Sequence, residues 1–143
     1  MQADEDNSLR ADLRAAGLRA TPARLAVLSV LRAASQSLTH QDVVDALAGK
    51  AGDRATIYRN LVTLVEAGFA RRTDLGDHVW RFEAVQADGA SYHQHPHFLC
   101  TACGDVSCMP PMEIKVFDGR TVPQAVHEQT IEVHLRGVCD SCR

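Results

Sequence analysis

Four of the five cysteines in this sequence stand in two Cys-x2-Cys pairs, Cys100/Cys103 and Cys139/Cys142. A fold that joins the pairs offers one ion four thiolates. That is the donor set of a closed tetrahedral structural zinc, with Zn–S bonds of about 2.3 Å. The second pair returns some 35 residues after the first, which is longer than a common zinc ribbon allows. One strand–helix–strand insert fits the interval. The alternative is a set of unrelated thiols or redox pairs. A thioredoxin-like motif needs a βαβ context, and a zinc deaminase needs H-x-E with P-C-x-x-C; the sequence has neither.

A chain of 143 residues makes one domain or two small ones. Small domains bury modest cores, so a staple of this kind is expected. No apolar run approaches the roughly 18–20 residues of a membrane span. The opening MQADEDNSLR is acidic and lacks the apolar segment of a signal peptide. A cytoplasmic address follows as an expectation, and there paired cysteines read as metal ligands before disulfides.

Ahead of the cysteines the pattern is helical. Residues 8–16 form a short helix candidate stopped by Gly17. Thr21 is placed to cap a helix that has Pro22 at its first position, with Leu25, Leu28 and Leu31 paving one face. Thr39 followed by Asp42 suggests a capping box, with Val43, Val44 and Leu47 apolar and Gly49 as the stop. Asp53 begins a third helix to Glu66, ended by Gly68. On it Ile57, Leu61, Leu64 and Val65 share one face, while Thr56, Arg59 and Thr63 lie opposite. Two β-prone runs, Phe69–Leu75 and His78–Val85, flank a Gly76-Asp77 turn. Three helices and a two-stranded ribbon are the layout of a winged helix-turn-helix. Residues 86–92 read as a linker. Strands are then expected at His97–Thr101, Asp105–Met109 and Gln129–Arg136, with a short helix around Gln124–Glu128. The fold class is therefore α+β, with a winged-helix domain over 1–85, a hinge over 86–92 and a metal-binding domain over 93–143.

The formal charge of -3 argues mildly against a nucleic-acid partner, but its distribution does not. Residues 7–72 carry ten basic and five acidic groups, whereas residues 84–143 carry four and seven. A basic front and an acidic rear fit a DNA-contacting front half, although an unevenly charged solvated surface gives the same count. In a major groove, Arg54 or Arg59 would meet guanine edges or phosphates, Thr56 a phosphate, and Tyr58 a thymine methyl. The DNA-contacting set is thus Arg19, Arg54, Thr56, Tyr58 and Arg59; a plain solvated helix face is the competing interpretation. His93, His95 and His97 alternate just before Cys100, and on a strand they would share one side. Three imidazoles make a second metal site, or else a polar strand edge. His40, His78, His127 and His134, each isolated, read as ordinary surface histidines.

Several segments together resemble the ferric uptake regulator family over about residues 10–142. They are Thr21-Pro22-Ala23-Arg24, Arg54-Ala55-Thr56-Ile57-Tyr58-Arg59-Asn60-Leu61, Arg81-Phe82-Glu83, His95-x-His97-x2-Cys100-x2-Cys103-Gly104 and Gly137-Val138-Cys139-x2-Cys142. The resemblance implies a homodimer of two-domain subunits, each with an N-terminal winged helix and a C-terminal α/β dimerisation domain. Such a dimer binds a pseudo-palindromic, AT-rich operator when a regulatory divalent metal is loaded, and usually represses. The resemblance also implies Glu83, His95 and His97 as regulatory ligands at the hinge, with His93 at a position used by zinc-sensing members. Cys108 falls where the family usually carries Asp or Glu. A thiolate there favours zinc over a hard, oxygen-preferring ion, unless Cys108 is simply a small buried residue. Ser37 stands where the family often has a histidine, leaving His40, His78 or Asp77 as possible replacements. Glu83 stands in place of the Asp typical of the peroxide-sensing branch.

The expected protein is a metal-dependent, DNA-binding repressor of metal-homeostasis genes. It holds structural Zn2+ on Cys100, Cys103, Cys139 and Cys142. It responds to Zn2+, or to Fe2+ or Mn2+, at Glu83, His93, His95, His97 and Cys108. The same scaffold sensing iron, peroxide, manganese or nickel is the near alternative. A zinc metalloenzyme built on the histidine cluster is the alternative of another class. It lacks HExxH or any other hydrolytic signature, so no enzyme activity, small-molecule substrate or membrane partner is expected.

Overall fold

Three polar side chains set where the principal helices begin. In the computed structural model, which describes residues 2–85, 96–117 and 120–143, a first helix α1 (Gln2–Ala15) is followed by α2 (Pro22–Ala33). The Thr21 hydroxyl accepts from the Arg24 amide at the start of α2. A two-residue strand β1 (Leu38–Thr39) leads into α3 (His40–Leu47), where Thr39 and Asp42 close the expected capping box in both directions. At the head of α4 (Arg54–Glu66), Asp53 accepts from the amide of Thr56 at 2.8 Å. That amide, and then the Thr56 hydroxyl, hold the Asp53 carboxyl below the usual carboxylate range. Each cap satisfies an amide that the helix itself leaves without a partner. Helix α1 starts at Gln2 rather than at residue 8, and Asp4 and Glu5 in its first turn complement the helix dipole.

The chain divides into two compact units, Met1–Tyr92 and His93–Arg143. In the first, β2 (Ala70–Asp74) and β3 (Trp80–Ala84) form an antiparallel hairpin, and β1 pairs with the other edge of β3, giving the order β1-β3-β2. Leu38 lies opposite Phe82 and Thr39 opposite Arg81. The apolar stripes of all four helices meet Ala70, Phe82 and Ala84 of the sheet in one core. Leu13, Val27, Leu28, Val43, Leu61, Leu64 and Phe82 are wholly buried within it. Three helices against a small antiparallel sheet make the winged helix-turn-helix, with an added N-terminal helix and a third strand.

The second unit is built differently. Strands β4 (His97–Cys100), β5 (Val106–Cys108) and β6 (His134–Gly137) form a sheet in the order β5-β4-β6. β5 runs antiparallel to β4 and β6 parallel to it. A single-turn helix α5 (Gln124–His127) and a 3-10 turn at Asp140–Cys142 complete the unit. Gln129–Arg136, expected as one strand, forms a ladder only over His134–Gly137. Gln129 sits at φ +58°. Its side-chain amide exchanges two hydrogen bonds, each of 3.2 Å, with the backbone of Ile114, which fixes that residue as a turn. The expected alternation still holds in burial: Ile131, Val133 and Leu135 are half-buried while their neighbours are exposed. Among the described residues of this unit only Pro96, Leu99 and Cys100 are fully buried.

Candidate functional site

Sheet register is what assembles the four cysteines. Cys100 ends β4 and lies opposite Gly137 at the end of β6, so the segment leaving β6 delivers Cys139 and Cys142 beside Cys100 and Cys103. A Cβ on Gly137 would come within 3.3 Å of the Phe98 ring. The absence of a side chain there lets the two strands close. The Cys100–Gly104 turn is tied by Gly104 donating to the Cys100 carbonyl and by Cys100 donating to the Asp105 carbonyl, both at 2.9 Å. Gly104 adopts φ +77°, which a side chain disfavours. Thr101 anchors the returning strand by donating its amide to the Gly137 carbonyl at 2.8 Å.

The four sulfurs all lie within 4.8 Å of one another, and the Cys103 and Cys139 sulfurs are 3.9 Å apart. A tetrahedral ion with bonds of about 2.3 Å requires sulfurs about 3.8 Å apart, so the cluster fits a thiophilic dication. The amides of Cys103 and Cys139 donate to the buried Cys100 sulfur at 3.5 and 3.3 Å. They pull its thiol down to about 6, whereas hydrogen bonding to the Cys139 and Cys103 sulfurs pushes Cys142 up to about 12. Successive thiolates repel one another, so a bound cation would be needed to hold four of them together. A metal held by Cys100, Cys103, Cys139 and Cys142 would supply a cross-link that fixes the end of β6 to the end of β4.

Of the regulatory candidates, His93 and His95 lie outside the described residues. His97 and Cys108 are direct partners across the β4–β5 ladder, so a ring nitrogen and a sulfur stand side by side on one face of the sheet. His134 occupies the matching position across β6. Glu83, in the other unit, is buried on β3 opposite Arg71, whose guanidinium is ion-paired with it. Of the proposed replacement ligands, His40 places Nε2 at 2.9 Å from the Arg54 carbonyl. Asp77 pairs with both terminal nitrogens of Arg81 at 2.8 and 2.9 Å, and this hydrogen bonding lowers its pKa. His78 is almost fully exposed, 3.8 Å from Asp74.

The candidate DNA contacts Arg54, Tyr58 and Arg59 are exposed on α4, and Thr56 is half-buried. Arg59 sits opposite the face that buries Ile57, Leu61 and Leu64, and Arg54, Thr56 and Tyr58 lie toward its flanks. Arg59 donates to the Thr56 hydroxyl at 3.1 Å. Arg54 bonds to Gln41, whose amide nitrogen donates to Asp45 at 2.7 Å. The Tyr58 ring meets the edge of His40, with centroids 5.4 Å apart. Arg19 is exposed in the turn before α2, and its carbonyl accepts from Arg24 at 2.8 Å. Sequence reasoning missed Asn60. It is buried on α4, accepts from Arg24 Nε at 3.2 Å and donates to the Thr56 carbonyl at 3.0 Å, locking the reading helix to α2. A polar residue in the apolar stripe was the only available signal.

The chain is similar to known proteins over nearly its full length. The ferric uptake regulator family model matches residues 15–136. The peroxide operon regulator of Bacillus subtilis is 30% identical over 147 aligned positions, covering 99% of this chain and 96% of that protein. The ferric uptake regulation protein of Synechococcus elongatus is 26% identical, covering 95% and 93%. Among solved structures, the Vibrio cholerae ferric uptake regulator superposes with a TM-score of 0.65 at 23% identity, covering 91% of this chain and 98% of that one. The Helicobacter pylori ferric uptake regulator gives 0.66 at 19%, covering 95% and 89%. Identities this low carry the fold and not the ion.

Proposed function

This chain belongs to the ferric uptake regulator family, whose members are metal-responsive transcription regulators, and from that premise we propose that it is a homodimeric, zinc-responsive repressor acting on double-stranded DNA. The observation that carries this reading is the division of α4 into two faces: one fully buried, the other presenting Arg54, Tyr58 and Arg59 to solvent with no acid between them. A helix so divided, held by Asn60 to α2 and preceded by α3, is built to enter a major groove. Its partner is a pseudo-palindromic operator, with Arg19 contacting the flanking backbone.

Two observations support the metal assignment. The four clustered sulfurs suit a permanent structural zinc. The pairing of Cys108 with His97 across β4–β5 supplies sulfur and nitrogen, donors that favour zinc over a hard ion at the regulatory site. The resemblance implies Glu83, His93 and His95 as the remaining ligands, and we take 1–85 as the DNA-binding part, 86–92 as the hinge and 93–143 as the dimerising part. Second copies are also favoured by physics. Among its described residues the second unit buries three side chains fully and leaves Met112, Val116, Phe117 and Val138 exposed, and a dimer covers such surface. The family's regulators work in the cytoplasm, and that address completes the reading; it includes no enzymatic step. The peroxide regulators among the relatives keep a second reading alive, in which the same ligands hold iron and report peroxide.

Operator affinity measured against buffered zinc, iron(II), manganese and nickel separates these readings. Zinc is expected to raise affinity about 10- to 100-fold, and by linkage DNA raises zinc affinity equally. Affinity unchanged by chelator defeats metal control, and a response to iron lost on adding peroxide favours the second reading. Arg59→Ala is expected to weaken DNA binding about 10-fold or more, since a bidentate contact contributes about 1–3 kcal/mol, with zinc content unchanged. Unaltered binding removes Arg59 from the interface.

A further inference from the structure

The wing carries an arrangement that the reading helix does not account for. The register of the β2–β3 hairpin puts Arg72 opposite Phe82 and Asp74 opposite Trp80. Ala70, Arg72, Trp80, Phe82 and Ala84 therefore share one face of the sheet. That face is buried at Ala70, Phe82 and Ala84 and runs out into solvent at Arg72 and Trp80. Trp80, the sole tryptophan of the chain, is 44% exposed. The Arg72 guanidinium lies over its ring, 4.5 Å from the centroid.

Two features make this pair a receptor for an anion. First, the neighbouring acids are already engaged. Asp74 accepts from the amides of Gly76 and His78 at 2.7 and 3.1 Å, and Asp77 is held by Arg81. Among the described residues no carboxylate forms an ion pair with Arg72. Second, a guanidinium held over an aromatic face spends no N–H donor on a carboxylate, so its fork remains available to a phosphate. The stack also fixes the side chain in advance, which reduces the entropy lost on binding. The occupant follows from position. The hairpin continues directly from α4 through Ala67–Phe69, so a duplex entered by α4 brings a phosphate strand past the wing.

We infer that Arg72 and Trp80 form a preassembled clamp for a phosphate of double-stranded DNA, flanking the groove read by α4. Trp80 supports the cation, and Arg72 makes the contact. The inference rests on the reading of α4 as a DNA-binding helix and adds a second, sequence-independent point of attachment.

The test uses full-length, zinc-loaded protein and an arbitrary duplex of about 30 base pairs at low salt, because phosphate contacts do not depend on sequence. Emission from the single tryptophan should change as duplex is added. Arg72→Ala should bind about 5- to 10-fold more weakly and lose about one unit of the slope of log affinity against log salt. Trp80→Ala should show a similar loss, and the double variant should be no weaker than Arg72→Ala. Trp80→Phe, which keeps an aromatic face, should retain most of the affinity and guards against a misfolded wing. Wild-type affinity and salt slope in Arg72→Ala, or tryptophan emission indifferent to duplex, overturns the clamp while leaving α4 untouched. Failure of the unmodified chain to bind duplex at all overturns both.

Discussion

Replacing Cys100 by serine is expected to remove the tightly held zinc and the ordered C-terminal unit in one step. Cys100 is the most enclosed of the four cysteines, and two backbone amides donate to its sulfur and pull its thiol down to about 6. A serine oxygen is a harder and less easily ionised donor. Among the described residues of the unit the remaining core is Pro96 and Leu99, little to set against a backbone ordering cost of about 1–2 kcal/mol per residue. Binding energy at a structural zinc, about 10–16 kcal/mol in small domains, is folding energy. Metal content should therefore fall by about one zinc per chain, sedimentation should report monomer, and the helical signal of the first unit should persist. A variant that keeps one zinc per chain and dimerises normally sinks the assignment. Acid should reproduce the effect. Folding around zinc releases thiol protons, and Cys142 would hold its own up to about 12 without the ion. Zinc affinity should therefore fall steadily as pH drops, and stability with it.

What could be read from the sequence was what local chemistry decides. Thr21, Thr39 and Asp53 were legible as caps because an N-cap bond spans three residues, and each forms as expected. The cysteine pairs were legible because a spacing of three positions the two sulfurs of a pair without reference to the rest of the chain. Long-range partners were not legible. β1 is two residues long and exists because Leu38 finds Phe82 across the sheet. Asn60 looks like a flaw in an apolar stripe until Arg24, 36 residues earlier, is placed beside it. Gln129 ends an otherwise convincing strand pattern through its bonds to Ile114, a contact no periodicity encodes. The same limit applies to the metal sites. The pairing of His97 with Cys108 depends on β4–β5 register, whereas the alternation of His93, His95 and His97 was visible at once although the first two lie outside the described residues.

Phe82→Ala should give the mirror image of the cysteine result. Phe82 is the largest side chain with no exposure, at the centre of the middle strand of the first unit, where the stripes of α2 and α4 converge on the sheet. Truncating a buried phenylalanine costs about 3–5 kcal/mol, combining lost transfer energy with the cavity left behind. A domain of this size is stable by about 5–15 kcal/mol in all. The core around it comes entirely from residues 9–84 and contains no cysteine of the zinc cluster. The expected outcome is a chain that still binds one zinc but melts much of its helix about 10 °C or more earlier, since roughly 1 kcal/mol shifts Tm by about 4–8 °C in a domain this small. Its affinity for DNA should fall in proportion to the fraction of reading heads unfolded at the assay temperature. Loss of zinc in this variant, or loss of the first unit's helices in Cys100→Ser, would show that the two cores fold as one. The scheme of a separately stabilised reading head, governed by a metal-stapled partner, would then be wrong.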